Sequence, residues 1–162
     1  MTHLHELTAT EIVQAIHGGR TTAVALAEAW LLHIESRDAR VQAWEDLDPG
    51  LVLEQAFALD RAGGKGPLQG VPVGLKDIID TADMPTALGT PIHAGRRPTI
   101  DAACTALTRR AGGIIMGKTV TTEFANRFPG KSRNPHDVTR TPGGSSRGSG
   151  AAGGAWVVAP AV

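Results

Sequence analysis

The sequence predicts an α/β fold in which helices flank a mixed β-sheet. Three observations predict it. The stretch Gly70-Val71-Pro72-Val73-Gly74-Leu75-Lys76-Asp77-Ile78-Ile79-Asp80 is apolar and β-prone. A second short apolar run, Gly112-Gly113-Ile114-Ile115-Met116-Gly117, follows a helix-patterned segment. A strand, a helix and a strand in that order form the βαβ unit of an α/β sheet. The first third of the chain is helix-patterned throughout. The expected division is therefore a helical segment over about residues 8–62 and the start of an α/β core over about 68–162.

Each element has a local cause. Thr8-Ala9-Thr10-Glu11 is a capping box, and the helix it opens is expected to run to about His17, where Gly18-Gly19 stops it. Thr21 or Thr22 opens a second helix. Its apolar residues Ala23, Leu26, Ala27, Trp30, Leu31 and Ile34 recur every three or four positions and form one buried face. His33 lies beside that face as a partly exposed residue rather than a ligand. Asp48-Pro49 marks a third start, with proline in the first turn, for a helix carrying Leu51, Leu53, Ala56, Phe57 and Leu59.

Residues 61–67 connect this helix to the lysine-bearing strand. Thr81 to Ile100 holds three prolines and two glycines and reads as a surface loop at a pocket mouth. Its one imidazole, His93, has no second histidine placed to help it. Asp101 is expected to cap a helix over 102–110, with Cys104 and Leu107 on one face. Cys104 reads as a small hydrophobe, not a nucleophile. The segment from Thr121 to Ala125 is expected to begin a short helix facing the site. Residues 128–141 form a basic loop with Lys131, Arg133 and Arg140. The small residues of 151–155, with Trp156, suit a helix packed closely on the sheet.

Composition excludes several classes of function. The chain has 162 residues, enough for one domain with a real core. Sixteen basic and sixteen acidic residues balance, so nothing points to nucleic acid or an anionic membrane. Cys104 is the single cysteine, so no intramolecular disulfide forms; this fits a reducing, cytoplasmic compartment. No basic N-terminal region is followed by an apolar run, and no apolar stretch is long enough to span a bilayer.

The chemistry concentrates in Thr141-Pro142-Gly143-Gly144-Ser145-Ser146-Arg147-Gly148-Ser149-Gly150, where four glycines and three serines fall within ten residues. Such a loop exposes backbone N–H groups and hydroxyls and can hold a hydroxyl at a reaction centre. The plain alternative is a flexible linker. Gly144-Ser145-Ser146-Arg147-Gly148 also fits a G-x-S-x-G nucleophile elbow. That elbow needs a strand before it and Asp and His after it. Residues 138–142 make a poor central strand, and neither partner follows Ser146. A phosphate loop fails because no Gly-Lys-Ser/Thr follows the glycines. Lys76 has its own two readings. On an edge strand it is a surface lysine; buried, it is an amine of depressed pKa that serves as a base.

Taken together, Gly-Val-Pro-Val-Gly-Leu-Lys-Asp over 70–77, Gly117-Lys118-Thr119 with Glu123-Phe124-Ala125, Asn134-Pro135, and Pro142-Gly143-Gly144-Ser145-Ser146 resemble the amidase signature family in order and rough spacing. The resemblance covers nearly the whole chain. It implies a Ser–cis-Ser–Lys triad that hydrolyses amides. Lys76 matches the lysine base and Ser145 the cis-serine that bridges base and nucleophile. Gly143, Gly144 and Ser146 match the substrate-side loop. The family's nucleophilic serine lies about two dozen residues beyond the cis-serine, in a segment this chain does not contain. Residues 1–162 are thus expected to be the N-terminal portion of a single amidase domain, inactive and poorly stable in isolation.

The resemblance implies a small-molecule amide as substrate, no metal and no organic cofactor, and it is compatible with a homodimer. It implies that Lys76→Ala removes most activity and Lys118→Ala does not. Close relatives include the amidotransferase component that amidates misacylated tRNA, and the motifs do not separate that role from free amidases. Arg147 departs from the pattern, since family members usually carry glycine there.

Overall fold

The computed structural model describes residues 3–155. Helix α1 spans Ala9–His17. The Thr8 hydroxyl accepts from the Glu11 N–H, and the Glu11 carboxylate accepts from the Thr8 N–H at 2.8 Å, closing the capping box. Helix α2, Ala23–Val41, starts on Thr22, whose hydroxyl accepts from the Ala25 N–H. A second cap comes from a distance: the Asp60 carboxylate accepts from the N–H groups of Ala23 and Val24 at 2.8 and 3.0 Å. Those two donors would otherwise be orphaned at the helix start. Helix α3, Pro49–Ala62, is capped by Asp48, which accepts from Gly50 and Leu51.

Between α2 and α3 lies a strand the pattern did not announce, β1, Trp44–Asp46. Three residues are too few to show an alternation. Strand β2 is Pro72–Lys76, every residue buried, and β3 is Ile114–Thr119, also buried throughout. The order is β1-β3-β2, with β3 antiparallel to β1 and parallel to β2. The sheet is mixed, as expected. Among the described residues the outer edge of β2 pairs with no strand.

The β2–β3 register slips by one residue between Val73 and Gly74. On the edge of β3 that faces away from β2, the side-chain amide of Gln55 on α3 accepts from the Ile115 N–H and donates to the Ile115 carbonyl, both at 3.0 Å. Strand β1 pairs only with Lys118 and Thr119, so Gln55 satisfies a backbone pair that β1 does not reach.

Helix α4, Ala103–Arg110, joins β2 to β3 and corrects two expectations. Ala102, not Asp101, stands at its cap, and no side chain caps it. Asp101 instead accepts from the Ala82 N–H and from Arg109, tying the preceding loop to the helix. Cys104 and Leu107 lie exposed, and Thr105 is the buried residue; its hydroxyl donates to the Asp80 carbonyl. Strand β3 also begins and ends two residues later than the apolar run implied, because Gly112 takes a left-handed turn (φ +90°) and Lys118 and Thr119 continue the buried strand.

Glu123–Ala125 is a single 3₁₀ turn rather than the start of a helix, since Phe124 and Ala125 both have positive φ. Helix α5, Arg147–Gly154, packs against the strands. It can do so because Gly148 has no Cβ to strike the Ala43 carbonyl and the Val120 amide. Trp156 lies outside the described residues.

Two apolar clusters hold these layers. One joins Trp30, Ile34 and Val52 from α2 and α3 to Ile114, Met116, Ala151 and Ala152. The other joins Ile12 and Leu26 to Val73, Leu75 and Ile115. The predicted face of α2 is buried as drawn, with Leu31 half-buried at its rim.

Candidate active site

Strand β2 ends on Lys76 and α5 begins after Ser146, and the two meet. Lys76 Nζ lies 2.6 Å from Ser145 Oγ, across 69 positions of sequence. The lysine is 8% exposed, and burial alone pushes its pKa below the ordinary lysine value. Among the described residues no carboxylate pairs with it. Ser145 is half-buried and follows a cis Gly144–Ser145 peptide. Its carbonyl accepts from the Thr122 N–H at 3.0 Å, which pins the loop to the end of the 119–122 segment. Gly143 stands at φ +90°, a conformation that suits glycine and few other residues. The predicted substrate-side residues Gly143, Gly144 and Ser146 are all exposed.

A second lysine has the opposite surroundings. Lys118 on β3 is 0% exposed. Its Nζ donates to the Ile79 carbonyl at 2.7 Å, the Thr86 hydroxyl at 2.6 Å and the Pro85 carbonyl at 3.3 Å, and lies 3.6 Å from the Asp77 carboxylate. Burial pulls its pKa down, while Asp77 acts to keep it charged. Asp77 is 1% exposed and accepts from the N–H groups of Ala87 and Gly89. Lys118 and Asp77 together therefore fix residues 77–89. That segment walls a cavity of about 420 Å³ lined by Asp46, Asp77, Ala87, Thr90, Val120 and Thr121.

Beside the lysine strand, Thr119 pairs with Lys76 in register, and its hydroxyl shares a 2.8 Å hydrogen bond with Ser149 on α5. Thr119 and Ser149 thus brace β3, the strand beside Lys76, against α5, the helix that follows Ser145. Sequence reading quoted Asp77, Lys118, Thr119 and Ser149 within motifs but gave them no positioning role. The available signals were the Lys76-Asp77 adjacency and the polar residues closing an apolar strand in Gly117-Lys118-Thr119. Nothing local told which residues they would meet. His93 stacks edge-on against Phe124 and stays away from the serine loop's hydrogen bonds.

The family profile described as Amidase matches residues 25–162. The chain belongs to the amidase family. Among curated proteins it is 44% identical over 162 residues to a glutamyl-tRNA(Gln) amidotransferase subunit from Thermobifida fusca, covering 94% of this chain and 32% of that protein. Its identity to the Streptomyces coelicolor protein of the same name is 42%, covering 94% and 33%. Among solved structures it matches the peptide amidase from Stenotrophomonas maltophilia with a TM-score of 0.88 at 32% identity, covering 96% of this chain and 35% of the other. The amidase chain thus spans about a third of the length of the curated relatives it matches. The mixed α/β architecture expected from the sequence is the one these neighbours share. No helix among the described residues is long and apolar enough to cross a membrane.

Proposed function

We propose that this chain supplies the base and the relay hydroxyl of an amide-hydrolysing site. The observation that carries the reading is the 2.6 Å contact between Lys76 Nζ and Ser145 Oγ, made by a buried lysine without a carboxylate partner among the described residues. While Lys76 is protonated it donates to Ser145. Once neutral, the same contact lets Nζ accept the Ser145 proton.

Ser145 Oγ then takes the proton of an attacking serine hydroxyl as that oxygen bonds to the amide carbon. The C–N bond breaks as the relay returns a proton to the leaving amine, and water releases the acyl group by the same route. By resemblance, the attacking serine belongs to the part of the family fold that this chain does not cover. Residues 1–162 are, on this reading, the first portion of a single amidase domain, and its substrate is a small-molecule amide. The relay draws on no metal or organic cofactor.

The experiment places this chain together with the remainder of the family fold. Lys76→Ala and Ser145→Ala are each expected to lower amide turnover about 10²-fold or more, the range for removing a positioned acid–base group. The exposed Lys65→Ala is expected to leave it within a factor of two. Turnover retained in Lys76→Ala removes the base assignment. A second reading, a component of an enzyme that amidates glutamyl-tRNA(Gln), is supported by the 44% identity to a protein named for that role. It predicts that turnover depends on further subunits and on that tRNA, whereas a free amidase needs neither.

A further inference from the structure

Arg147, the first residue of α5, follows directly on the two serines of the loop and is 8% exposed. Its guanidinium has no carboxylate partner among the described residues. It donates instead to two main-chain carbonyls on different loops, Nη1 to Gly143 at 3.2 Å and Nη2 to Ser132 at 3.1 Å, and its buried Nε–H finds no acceptor. The stem runs between two glycines: a Cβ on Gly144 would lie 3.6 Å from Arg147 Cγ, and one on Gly130 would lie 3.8 Å from Cδ. Ser132 is itself anchored, its hydroxyl donating to the Gln42 carbonyl at 2.8 Å.

A buried cation held by neutral acceptors, with one donor unused, costs stability. A clasp between the loop that carries Ser145 and a fixed point behind it offsets that cost in function. We propose that Arg147 is a positioning residue that clasps the serine loop to the 130–132 segment and so holds Ser145 Oγ against Lys76 Nζ. The proposal rests on the reading of Lys76 and Ser145 as base and relay. Arg147 touches neither hydroxyl nor amine; it fixes the carbonyl two residues before Ser145, and the Thr122 N–H bond to Ser145 fixes the loop from the other side.

The test uses the 162-residue chain, with Arg147→Met, which keeps the stem, and Arg147→Lys, which keeps the charge but cannot reach two diverging carbonyls. Two quantities are followed by NMR: hydrogen exchange of the Thr122 amide, against the Ala56 amide in α3 as a measure of global opening, and titration of the Lys76 side chain, identified by its loss in Lys76→Met. Both variants are expected to speed Thr122 exchange at least tenfold relative to Ala56. Both are expected to raise the proton affinity of Lys76 severalfold as water reaches the released amine. A loss of stability alone would speed both amides together.

Thr122 exchange that merely follows Ala56, or Lys76 titration that moves in Arg147→Met but not in Arg147→Lys, overturns the clasp. If Arg147→Met does not fold, Arg147→Lys decides by the same two readouts. A wild-type Lys76 that titrates as an ordinary lysine removes the base reading instead, and Thr122 exchange still decides the clasp.

Discussion

Replacing each buried lysine by methionine should have unequal consequences for stability, and the structure sets the sizes. Lys118→Met leaves the Asp77 carboxylate, 1% exposed, without its cation, and removes the donor to Ile79, Pro85 and Thr86. Breaking a fully buried pair by deleting one member costs about 3–5 kcal/mol. For a chain of this length that lowers Tm by roughly 6–20 °C, at about 2–4 °C per kcal/mol.

Lys76→Met deletes one hydrogen bond, to a half-buried serine that water can serve. It also relieves the burial of an amine with no counter-ion among the described residues. The two effects nearly cancel, leaving a change within about 1 kcal/mol. Thermal and urea unfolding of the 162-residue chain, followed by circular dichroism, measures both. Equal losses from the two variants, or a Lys118→Met protein as stable as wild type, would refute the distinction between a structural cation and a chemical base. For the same reason Lys118→Ala tests folding rather than catalysis, and an activity control belongs on an exposed lysine.

Two further outcomes follow from the geometry. Because burial lowers the Lys76 pKa, the base should become neutral below the ordinary lysine range, so turnover should rise with pH through that lowered value; the unfolded chain binds the proton more tightly there, so stability should rise across the same window up to the ordinary lysine pKa. Turnover that is flat through the Lys76 titration, followed by side-chain NMR, argues against it. An active-site-directed fluorophosphonate should leave Ser145 and Ser146 of the 162-residue chain unlabelled, since Ser145 is read as a relay. Stoichiometric labelling of either serine, found by peptide mass, would revive the nucleophile elbow.

What could be read in the sequence is what local rules govern. The Thr8–Glu11 capping box and the Asp48-Pro49 start each complete their bonds within three residues, so the sequence alone implies them. The buried lysine strand and the Gly143–Ser146 loop were visible because a lysine in an apolar run and paired glycines before paired serines both demand explanation. Their partnership came from resemblance, since no spacing rule joins positions 69 apart. What stayed hidden depends on contacts at a distance. Strand β1 is three residues long and exists through its pairing with β3. Asp101 had the right chemistry for a cap, but Ala82 and Arg109 claimed its carboxylate. The end of β3 was set two residues too early because a lysine conventionally ends a buried strand, and the oxygens that accept from Lys118 lie on a loop more than thirty positions away.

The two lysines show why residue type and burial do not by themselves assign a role. Lys76 and Lys118 sit on neighbouring strands, both are buried, and burial lowers both pKa values. The difference lies in what faces each amine. Around Lys118 stand two carbonyls and a carboxylate, which can only accept and so favour the ammonium against its burial, together with one hydroxyl. Around Lys76 stands one hydroxyl, which serves equally as acceptor from an ammonium and donor to an amine. A group that exchanges a proton needs a partner indifferent to its charge, and on the proposed reading the serine is that partner. Asp77, next to Lys76 in sequence, is bound instead to Lys118 and to the Ala87 and Gly89 amides. Its negative charge is thereby committed to Lys118 and the loop and not to the neighbouring amine, as the proposed base reading requires.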